Sequence, residues 1–226
     1  MNGFGKQLTL DWPHEPSSAR EDFLPAPENA DALKWIDSWP DWPSPVILLV
    51  GPSGAGKSHL GVIFARRAGA KTISGERLVE AALPDLASAP ALLIEDADRI
   101  GANEAALFHL LNFLRETHAS ALITASRTPG LWGLKTPDLL SRLRLAPVVT
   151  IGEPDLDLAH AVLFKLFSDR QLAVEPTVVA YIALRIERSL NAARAIVAAL
   201  DREALARGKR VTRAMAAEIL RDSVED

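Results

Sequence analysis

The eight residues Gly51–Ser58 constrain this chain more than any other stretch. They spell GPSGAGKS and match the phosphate-binding pattern G-x-x-x-x-G-K-[ST]. The unbroken apolar run Val46–Val50 precedes them, and apolar residues at helical spacing follow. Such a run is typical of a buried parallel strand. A glycine-rich turn without a ligand is the alternative, but the flanking pattern favours a strand, a phosphate loop and a helix.

The chemistry of the loop assigns a role to each residue type. Glycines let the backbone curl so that its N–H groups face an anion. Lys57 is expected to reach the β- and γ-phosphates, and the Ser58 hydroxyl to bind Mg²⁺. The positive end of the following helix adds to the same site. We therefore predict ADP or ATP with Mg²⁺ as cofactors, held by the backbone of Gly51, Pro52, Ser53, Gly54, Ala55 and Gly56.

Strands and helices alternate through the first two thirds of the chain, which predicts an α/β fold with a parallel sheet covered on both faces. The clearest intervening helix is 103–117, where leucines keep the 3.6-residue period. Shorter helices are predicted over 31–39 and after Thr136, which would be the N-cap before Pro137. Five strands are expected, at Val46–Val50, Thr72–Ser74, Ala91–Ile94, Ala121–Thr124 and Val148–Ile151.

After residue 152 the pattern changes to helices alone, the last of them capped by Thr212. We therefore divide the chain into a flexible N-terminal segment (1–22), an α/β nucleotide-binding domain (23–152) and a small helical lid domain (153–226).

Composition narrows the function classes. The 226 residues carry a formal net charge of -4, without a concentrated basic block. This argues against a protein whose main task is gripping a nucleic acid backbone. The absence of cysteine excludes disulfides and cysteine-ligated zinc. The first residues lack the apolar core of a signal peptide, so we expect a cytoplasmic protein.

Polar residues end the third and fourth predicted strands. Glu95 and Asp96 follow one strand, and Thr124 and Ser126 follow the next. Strand ends of an open parallel sheet converge on the ligand crevice. One carboxylate would hold Mg²⁺ and the other would orient the attacking water, while Thr124 or Ser126 would sense the γ-phosphate. The alternatives are a solvated strand end for the acids and a turn or cap for the hydroxyls.

Three arginines are candidates for contacts with phosphates. Arg142 follows the fourth strand, where its side chain could reach a neighbouring molecule's nucleotide as an arginine finger. Arg144 competes for that role, and a surface salt bridge is the alternative for both. Arg194 lies in the helical domain and could fold back onto phosphates bound by this chain.

The proline- and tryptophan-rich start contains a short peptide, Gln7–Trp12, with spaced apolar residues. In an extended conformation its apolar side chains lie on one face, so the peptide could add to a partner's groove with Gln7 as polar anchor. A frayed tail or an edge strand is the alternative. The partner-binding residues would be Gln7, Leu8, Leu10, Asp11 and Trp12.

These segments together resemble the AAA+ ATPases of the DnaA type, and within them the short Hda group of DnaA inactivators. The phosphate loop continues with His59-Leu60, as it does in DnaA, which adds His59 to the candidate nucleotide residues. The other matching segments are Leu92–Asp96 (Walker B), Leu122–Arg127 (sensor 1), Leu140–Leu143 (box VII, with Arg142 as finger) and Arg194–Ile196 (sensor 2). DnaA continues into a DNA-binding domain, which we expect this chain to lack.

The resemblance implies negative regulation of chromosomal replication initiation. Hda proteins bind the sliding clamp, the β subunit of DNA polymerase III, through an N-terminal peptide similar to Gln7–Trp12. They would reach DNA indirectly, through the loaded clamp, and supply an arginine finger in trans to ATP-bound DnaA, leaving inactive ADP-DnaA. The family favours ADP in the active form, and self-association is possible. Glu95-Asp96 departs from the usual Asp-Glu or Asp-Asp order, so we expect slow hydrolysis of the chain's own ATP.

Two other functions share the nucleotide motifs. An ATP-dependent helicase loader, or another DNA-remodelling AAA+ protein, would bind single strands tightly through a basic surface. A metabolic P-loop kinase would need a substrate pocket with catalytic arginines, and the helical domain after the fifth strand fits it less well. Neither alternative predicts binding to the clamp.

Overall fold

The computed structural model describes residues 19–225, which form five strands and nine α-helices with several single 3₁₀ turns. The strands are β1 (Val46–Val50), β2 (Lys71–Ser74), β3 (Ala91–Glu95), β4 (Ser120–Ala125) and β5 (Val148–Thr150). The helices of the α/β part are α1 (Ala30–Asp37), α2 (Lys57–Ala68), α3 (Leu83–Leu86), α4 (Glu104–Thr117) and α5 (Pro137–Leu145). The helices that follow are α6 (Leu156–Asp169), α7 (Pro176–Ala183), α8 (Leu190–Arg207) and α9 (Arg213–Glu225).

All five strands are parallel and lie in the order β2-β3-β4-β1-β5, which confirms the predicted sheet. β1 lies between β4 and β5, with Leu49 opposite both Thr124 and Val149. The phosphate loop therefore leaves the sheet between two strand ends. This is the place where an open parallel sheet forms its ligand crevice.

The sheet separates two hydrophobic cores, because successive side chains of a strand point to opposite faces. Leu48 and Val50 of β1 face one core together with the leucines of α4, whereas Ile47 and Leu49 face the other, together with α1 and α2. The inner strands β1, β3 and β4 are apolar and buried along most of their length because both of their faces are covered, whereas the edge strands β2 and β5 are partly exposed.

The four C-terminal helices enclose a third core of their own, which includes Leu163, Ile182, Val197, Val211 and Met215. α6 begins at Asp155, whose carboxylate accepts the N–H of Leu158 at 2.7 Å. The predicted cap at Thr212 is present as well, since its hydroxyl accepts the N–H of Met215 at 3.3 Å. No helix within residues 19–225 has the length and apolar character needed to cross a membrane.

The first described residues connect the two halves of the molecule. Arg20–Asp22 form a 3₁₀ turn. Arg20 forms a two-pronged ion pair with Asp37 of α1, and Asp22 forms an ion pair of 2.7 Å with Lys165 of the lid helix α6. The end of the segment assigned to 1–22 thus contacts both domains, and the domain boundaries themselves remain predictions.

Candidate functional site

The phosphate loop has the backbone that its glycines predict. Gly54 and Gly56 have φ of 74° and 108°, a region that side chains rarely adopt. A Cβ at Gly51 would lie 2.3 Å from the carbonyl oxygen of Ile151, so only glycine fits there. Gly56 then leads directly into α2. The loop is therefore closely packed against Ile151, and its N–H groups at the start of α2 are available to an anion.

Lys57 is bound to its own loop. Its Nζ donates to the carbonyl oxygens of Gly51 at 2.7 Å and Pro52 at 2.8 Å. Burial lowers the pKa of Lys57, and the charges of Asp96 and Asp98 act in the opposite direction. Among residues 19–225 the ammonium thus has hydrogen bonds to neutral carbonyl oxygens alone, and phosphate oxygens would be stronger acceptors.

Asp96 and Thr124 join the two neighbouring strand ends. The backbone N–H of Asp96 donates to Thr124 Oγ1 at 3.1 Å, and Thr124 is buried. Asp96 has φ of 48°, an uncommon value for a residue other than glycine, and such strain is concentrated at functional sites. A Cβ at Gly75 would lie 2.5 Å from the Asp96 carbonyl oxygen, so this turn is tightly packed.

Asp98 is a site residue that the sequence analysis missed. Its carboxylate accepts hydrogen bonds from the backbone N–H of Ser126, at 3.1 Å, and from the Ser126 hydroxyl. Together with Asp96 it contributes to the field at Lys57. The Asp98 carboxylate therefore holds Ser126 in place. Its position in the sequence, two residues after Asp96, was the one signal that could have identified it as a site residue.

The residues assigned to Mg²⁺ fit an ion that is bound largely by the nucleotide. Ser58 is exposed at the start of α2, and Glu95 ends β3 half-buried. Within residues 19–225, histidine, aspartate and glutamate form no group of three or more able to hold a metal. Mg²⁺ in ATPases usually takes one or two protein ligands, with phosphates and water completing its shell. A hydroxyl and a carboxylate match that donor set.

The C-terminal helices contact the phosphate loop directly. The N–H of Leu190, at the start of α8, donates to the carbonyl oxygen of Gly54 at 2.8 Å. Ser189 caps the same helix, and its Oγ would lie 1.9 Å from a Cβ added to Gly54. A change in the loop at Gly54 is thereby coupled to the position of α8.

His59 and Arg194 line one cavity beside the loop, between the lid and the first described residues. His59 contacts the carbonyl oxygen of Ala19 at 3.3 Å and the edge of the Phe23 ring, and burial lowers its pKa. Burial also lowers the pKa of Arg194, which has neither a hydrogen bond nor an ion pair to any residue in 19–225. A half-buried guanidinium without an anionic neighbour suits a phosphate ligand.

Arg142 lies on a different part of the molecule. It borders a groove with Pro45 and Val46, at the start of β1, whereas the phosphate loop follows the end of that strand. The five residues of β1 separate the groove beside Arg142 from the phosphate loop by about 13 Å along the sheet. Arg144 is exposed and makes neither a hydrogen bond nor an ion pair to any of the described residues.

The Arg142 guanidinium is held by α4. It donates to the Asn112 side-chain oxygen and lies 4.6 Å from the centre of the Phe108 ring. Phe108 and Asn112 are one helical turn apart, so both side chains lie on the same face of α4. We call these two residues the Arg142 cradle. The sequence analysis did not predict it.

The start of α5, the helix that carries Arg142, corrects one expectation. Thr136 occupies the N-cap position, but its side chain makes no capping hydrogen bond. The buried Glu104 carboxylate instead accepts the N–H groups of Lys135 and Thr136, each at 2.8 Å. Burial alone would raise the pKa of Glu104, but these hydrogen bonds lower it below the ordinary value of 4.5. Glu104 of α4 thus fixes the start of α5.

The predicted partner peptide Gln7–Trp12 lies outside the described residues. Most of the other predicted site residues lie near the carboxyl ends of the strands: the phosphate loop, Glu95, Asp96, Thr124, Ser126, His59 and Arg194. Arg142 stands apart from them.

Comparison with known proteins indicates what this arrangement resembles. No protein-family model matches the chain. The chromosomal replication initiator protein DnaA of Cutibacterium acnes is 25% identical over 167 residues, which cover 64% of this chain and 33% of that protein. The chain thus spans about a third of the length of this relative.

Solved structures agree on the fold. Domain III of the Thermotoga maritima replication initiation protein DnaA superposes with a TM-score of 0.80 at 18% identity, over 93% of this chain and 98% of that one. AMPPCP-bound DnaA from Aquifex aeolicus gives a TM-score of 0.68 at 19% identity, over 82% of this chain and 65% of that one. The five-stranded parallel sheet with its flanking helices is therefore the AAA+ P-loop fold, in a chain similar to DnaA.

Proposed function

We propose that this protein is a nucleotide-dependent negative regulator of replication initiation, which stimulates ATP hydrolysis by DnaA in trans. Its own loop binds ADP or ATP, and Arg142 enters the active site of ATP-bound DnaA. The product is ADP-bound DnaA, which is inactive in initiation. The observation that carries the proposal is the position of Arg142, remote from the chain's own loop and fixed by the Arg142 cradle.

The nucleotide part rests on the loop and its neighbours. Lys57 and the N–H groups at the start of α2 would bind the phosphates, and Arg194, which lines the cavity that His59 also lines, would provide a second cation. A DnaA of known structure carries AMPPCP. Ser58 and Glu95 would hold Mg²⁺, which would neutralise phosphate charge. Because Leu190 donates to Gly54, bound nucleotide would also fix the lid against the loop.

Hydrolysis in this chain's own site is proposed to be slow. Glu95 takes the metal-binding position and Asp96 the water-orienting position, so the shorter carboxylate has to act on the water. Thr124 and Gly75 contact the Asp96 backbone closely, so a shift of the main chain would not compensate for the shorter side chain. The nucleotide then serves to hold the shape that presents Arg142, and turnover in cis is not required.

The trans contact supplies the rate enhancement. An arginine finger neutralises charge on the transferred phosphoryl group in the transition state and can contribute about 10³ to 10⁵ in rate. An arginine kept in one place before the encounter loses little conformational freedom when it binds. Phe108 and Asn112 provide such preorganisation, and Glu104 fixes the helix on which Arg142 lies.

Recruitment is proposed to depend on the N-terminal peptide. Gln7, Leu8, Leu10, Asp11 and Trp12 would add to a groove of the DNA-loaded β clamp as an extended strand. Six residues separate Trp12 from Ala19, the first described residue, and a chain of this length can span about 20 Å. The AAA+ module could therefore reach DnaA beside the clamp while the peptide stays bound.

The test is phosphate release from ATP-loaded DnaA mixed with DNA-loaded clamp. The native chain should raise the rate, and Arg142→Ala should return it to that of DnaA alone. Arg144→Ala is the matched control, because it removes the same charge two residues away and should keep most of the stimulation. Equal stimulation by the native chain and Arg142→Ala would refute the finger, and no stimulation by the native chain would refute the regulatory role.

A further inference from the structure

Two arginines of the lid domain lie on one aromatic ring. The Arg185 guanidinium carbon is 3.8 Å from the centre of the Tyr181 ring, and that of Arg213 is 4.6 Å from the same centre. Tyr181 belongs to α7 and Arg213 begins α9, so the ring brings together cations from two elements. Both arginines are exposed. Arg185 Nη1 donates to the carbonyl oxygen of Tyr181 at 3.1 Å, and a guanidinium has further N–H donors that a ligand can use.

The turn that leads into α9 carries two more exposed cations, just before Arg213 in the chain. Lys209 and Arg210 lie in the turn between α8 and α9, and both are exposed. The turn is anchored, because Val211 is buried in the lid core and the N–H of Lys209 donates to the carbonyl oxygen of Ala204 at 3.0 Å. The four cations Arg185, Lys209, Arg210 and Arg213 form what we call the lid basic patch.

The charge of the lid basic patch is not neutralised within the protein. None of its four residues forms an ion pair with a carboxylate among the side chains that the structure describes. The neighbouring Arg207 behaves differently, since it pairs with both Glu203 and Glu218. A chain of net charge -4 thus exposes a local positive surface, which total charge alone does not indicate.

We propose that the lid basic patch binds the phosphate backbone of duplex DNA. Arginine is suited to phosphate because its planar fork donates two parallel hydrogen bonds. The Tyr181 ring is already contacted by two guanidinium groups, so it does not provide the open stacking platform that single-stranded bases require. Contacts to phosphate alone predict binding without sequence preference and with strong salt dependence.

The patch gives the protein a direct contact with DNA, in addition to the proposed indirect one through the clamp. A few phosphate contacts give weak affinity, so the patch would orient a protein that is already held at DNA by another partner. The avidity of two linked sites exceeds either affinity alone. The inference does not depend on the trans finger, because DNA binding is measured without DnaA.

The experiment measures binding of the full chain to a fluorescent 30-base-pair duplex by anisotropy, between about 50 and 200 mM salt. Arg185→Ala/Arg213→Ala should weaken binding about tenfold at the lower salt and reduce the slope of log affinity against log salt by about two. Arg185→Lys/Arg213→Lys keeps the charge and should retain most of the affinity. The control Arg66→Ala/Arg77→Ala removes two exposed arginines of the α/β domain and should change little.

Three results would overturn the proposal. The patch variant could bind the duplex as tightly as the native chain, or the control pair could lose as much affinity as the patch pair. A polyglutamate peptide could also compete as well as duplex DNA does, which would assign the patch to an acidic protein partner. Nucleotide binding by each variant reports that the fold is intact, so a loss caused by misfolding is recognised.

Discussion

The phosphate loop and the Arg142 surface are built in opposite ways. The loop is eight consecutive residues whose backbone makes the site, and it follows the carboxyl end of β1, between β4 and β5. Arg142 is one side chain on α5, and its position is set by Phe108, Asn112 and Glu104 of α4. One region depends on local backbone geometry and the other on the packing of two helices.

This difference separates the two proposed activities. Substitutions in the loop should remove nucleotide affinity and leave the Arg142 cradle intact. Substitutions in the Arg142 cradle should weaken the stimulation of DnaA and leave nucleotide affinity unchanged. The two regions communicate only if the nucleotide or the lid changes the packing of α4 and α5, so variants of each region show whether they act independently.

The largest effect is expected from Lys57→Ala. Loss of the charge-assisted contacts to the phosphates should lower nucleotide affinity about 100-fold, equivalent to about 2.7 kcal/mol. Fluorescent-nucleotide titration measures it, with Arg66→Ala on the same helix as the control. Unchanged affinity in Lys57→Ala would place the nucleotide elsewhere.

Gly54→Ala tests the coupling of the loop to the lid. A side chain at φ of 74° is strained, and its Cβ would lie 1.9 Å from Ser189 Oγ, so we expect a loss of about 2 kcal/mol in unfolding free energy. Gly133→Ala is the matched control, since Gly133 has φ of 72° but nothing within 4 Å of the added Cβ. It should lose only about 1 kcal/mol, from backbone strain alone.

Urea unfolding measures both glycine variants. If Gly54→Ala and Gly133→Ala lose the same unfolding free energy, the contact between Gly54 and Ser189 of the α8 cap does not contribute to stability. Gly54→Ala/Ser189→Gly should recover part of the difference, because it removes the atoms that the new Cβ would meet.

Glu104→Gln tests the support of α5. Removing the charge from the two N–H hydrogen bonds should cost about 1.5 kcal/mol at pH 7. The folded-state pKa of Glu104 is lowered, so its stabilisation is present above the ordinary value of 4.5 and is lost as pH falls through the lower folded value. The difference in stability between the native chain and Glu104→Gln should therefore be full at pH 7 and shrink below about pH 4. A difference that stays constant with pH would contradict this role of the carboxylate.

Asn112→Ala should have the smallest effect. It removes one hydrogen bond of the half-buried Arg142 and should lower stability by about 1 kcal/mol. Nucleotide affinity should not change, whereas stimulation of DnaA should fall several-fold, because the guanidinium is less well positioned. Asn112→Gln keeps the amide and should restore part of the stimulation. Stimulation that is unaffected by Asn112→Ala would show that the cradle does not position the finger.

Local patterns explain which features the sequence could predict. Gly51–Ser58 is contiguous and its residue types follow from phosphate chemistry, so the loop was predicted with its flanking strand and helix. All five strands were predicted to within one residue at each end. The inner strands β1, β3 and β4 are buried on both faces and leave apolar runs, and the short edge strands β2 and β5 followed from the alternation of strands with helices. The strand-end position of Glu95 and Thr124 followed from the parallel topology alone.

The rest depends on contacts between residues distant in sequence. Thr136 makes no capping hydrogen bond, and the segment before α5 is held instead by the buried Glu104 carboxylate of α4, which accepts the N–H groups of Lys135 and Thr136. Asp98 binds Ser126 across two strand ends, and Tyr181 joins Arg185 to Arg213. Net charge and hydrophobic period contain no information on such pairs.

The most direct test of the central claim is to determine whose ATP is hydrolysed. This chain and DnaA are loaded separately, one with γ-labelled and the other with unlabelled ATP, and mixed with DNA-loaded clamp under single-turnover conditions. We predict rapid release of label when DnaA carries it and slow release when this chain carries it. Rapid release of the label from this chain, with DnaA's nucleotide intact, would contradict the account and make the protein an ATPase in its own right.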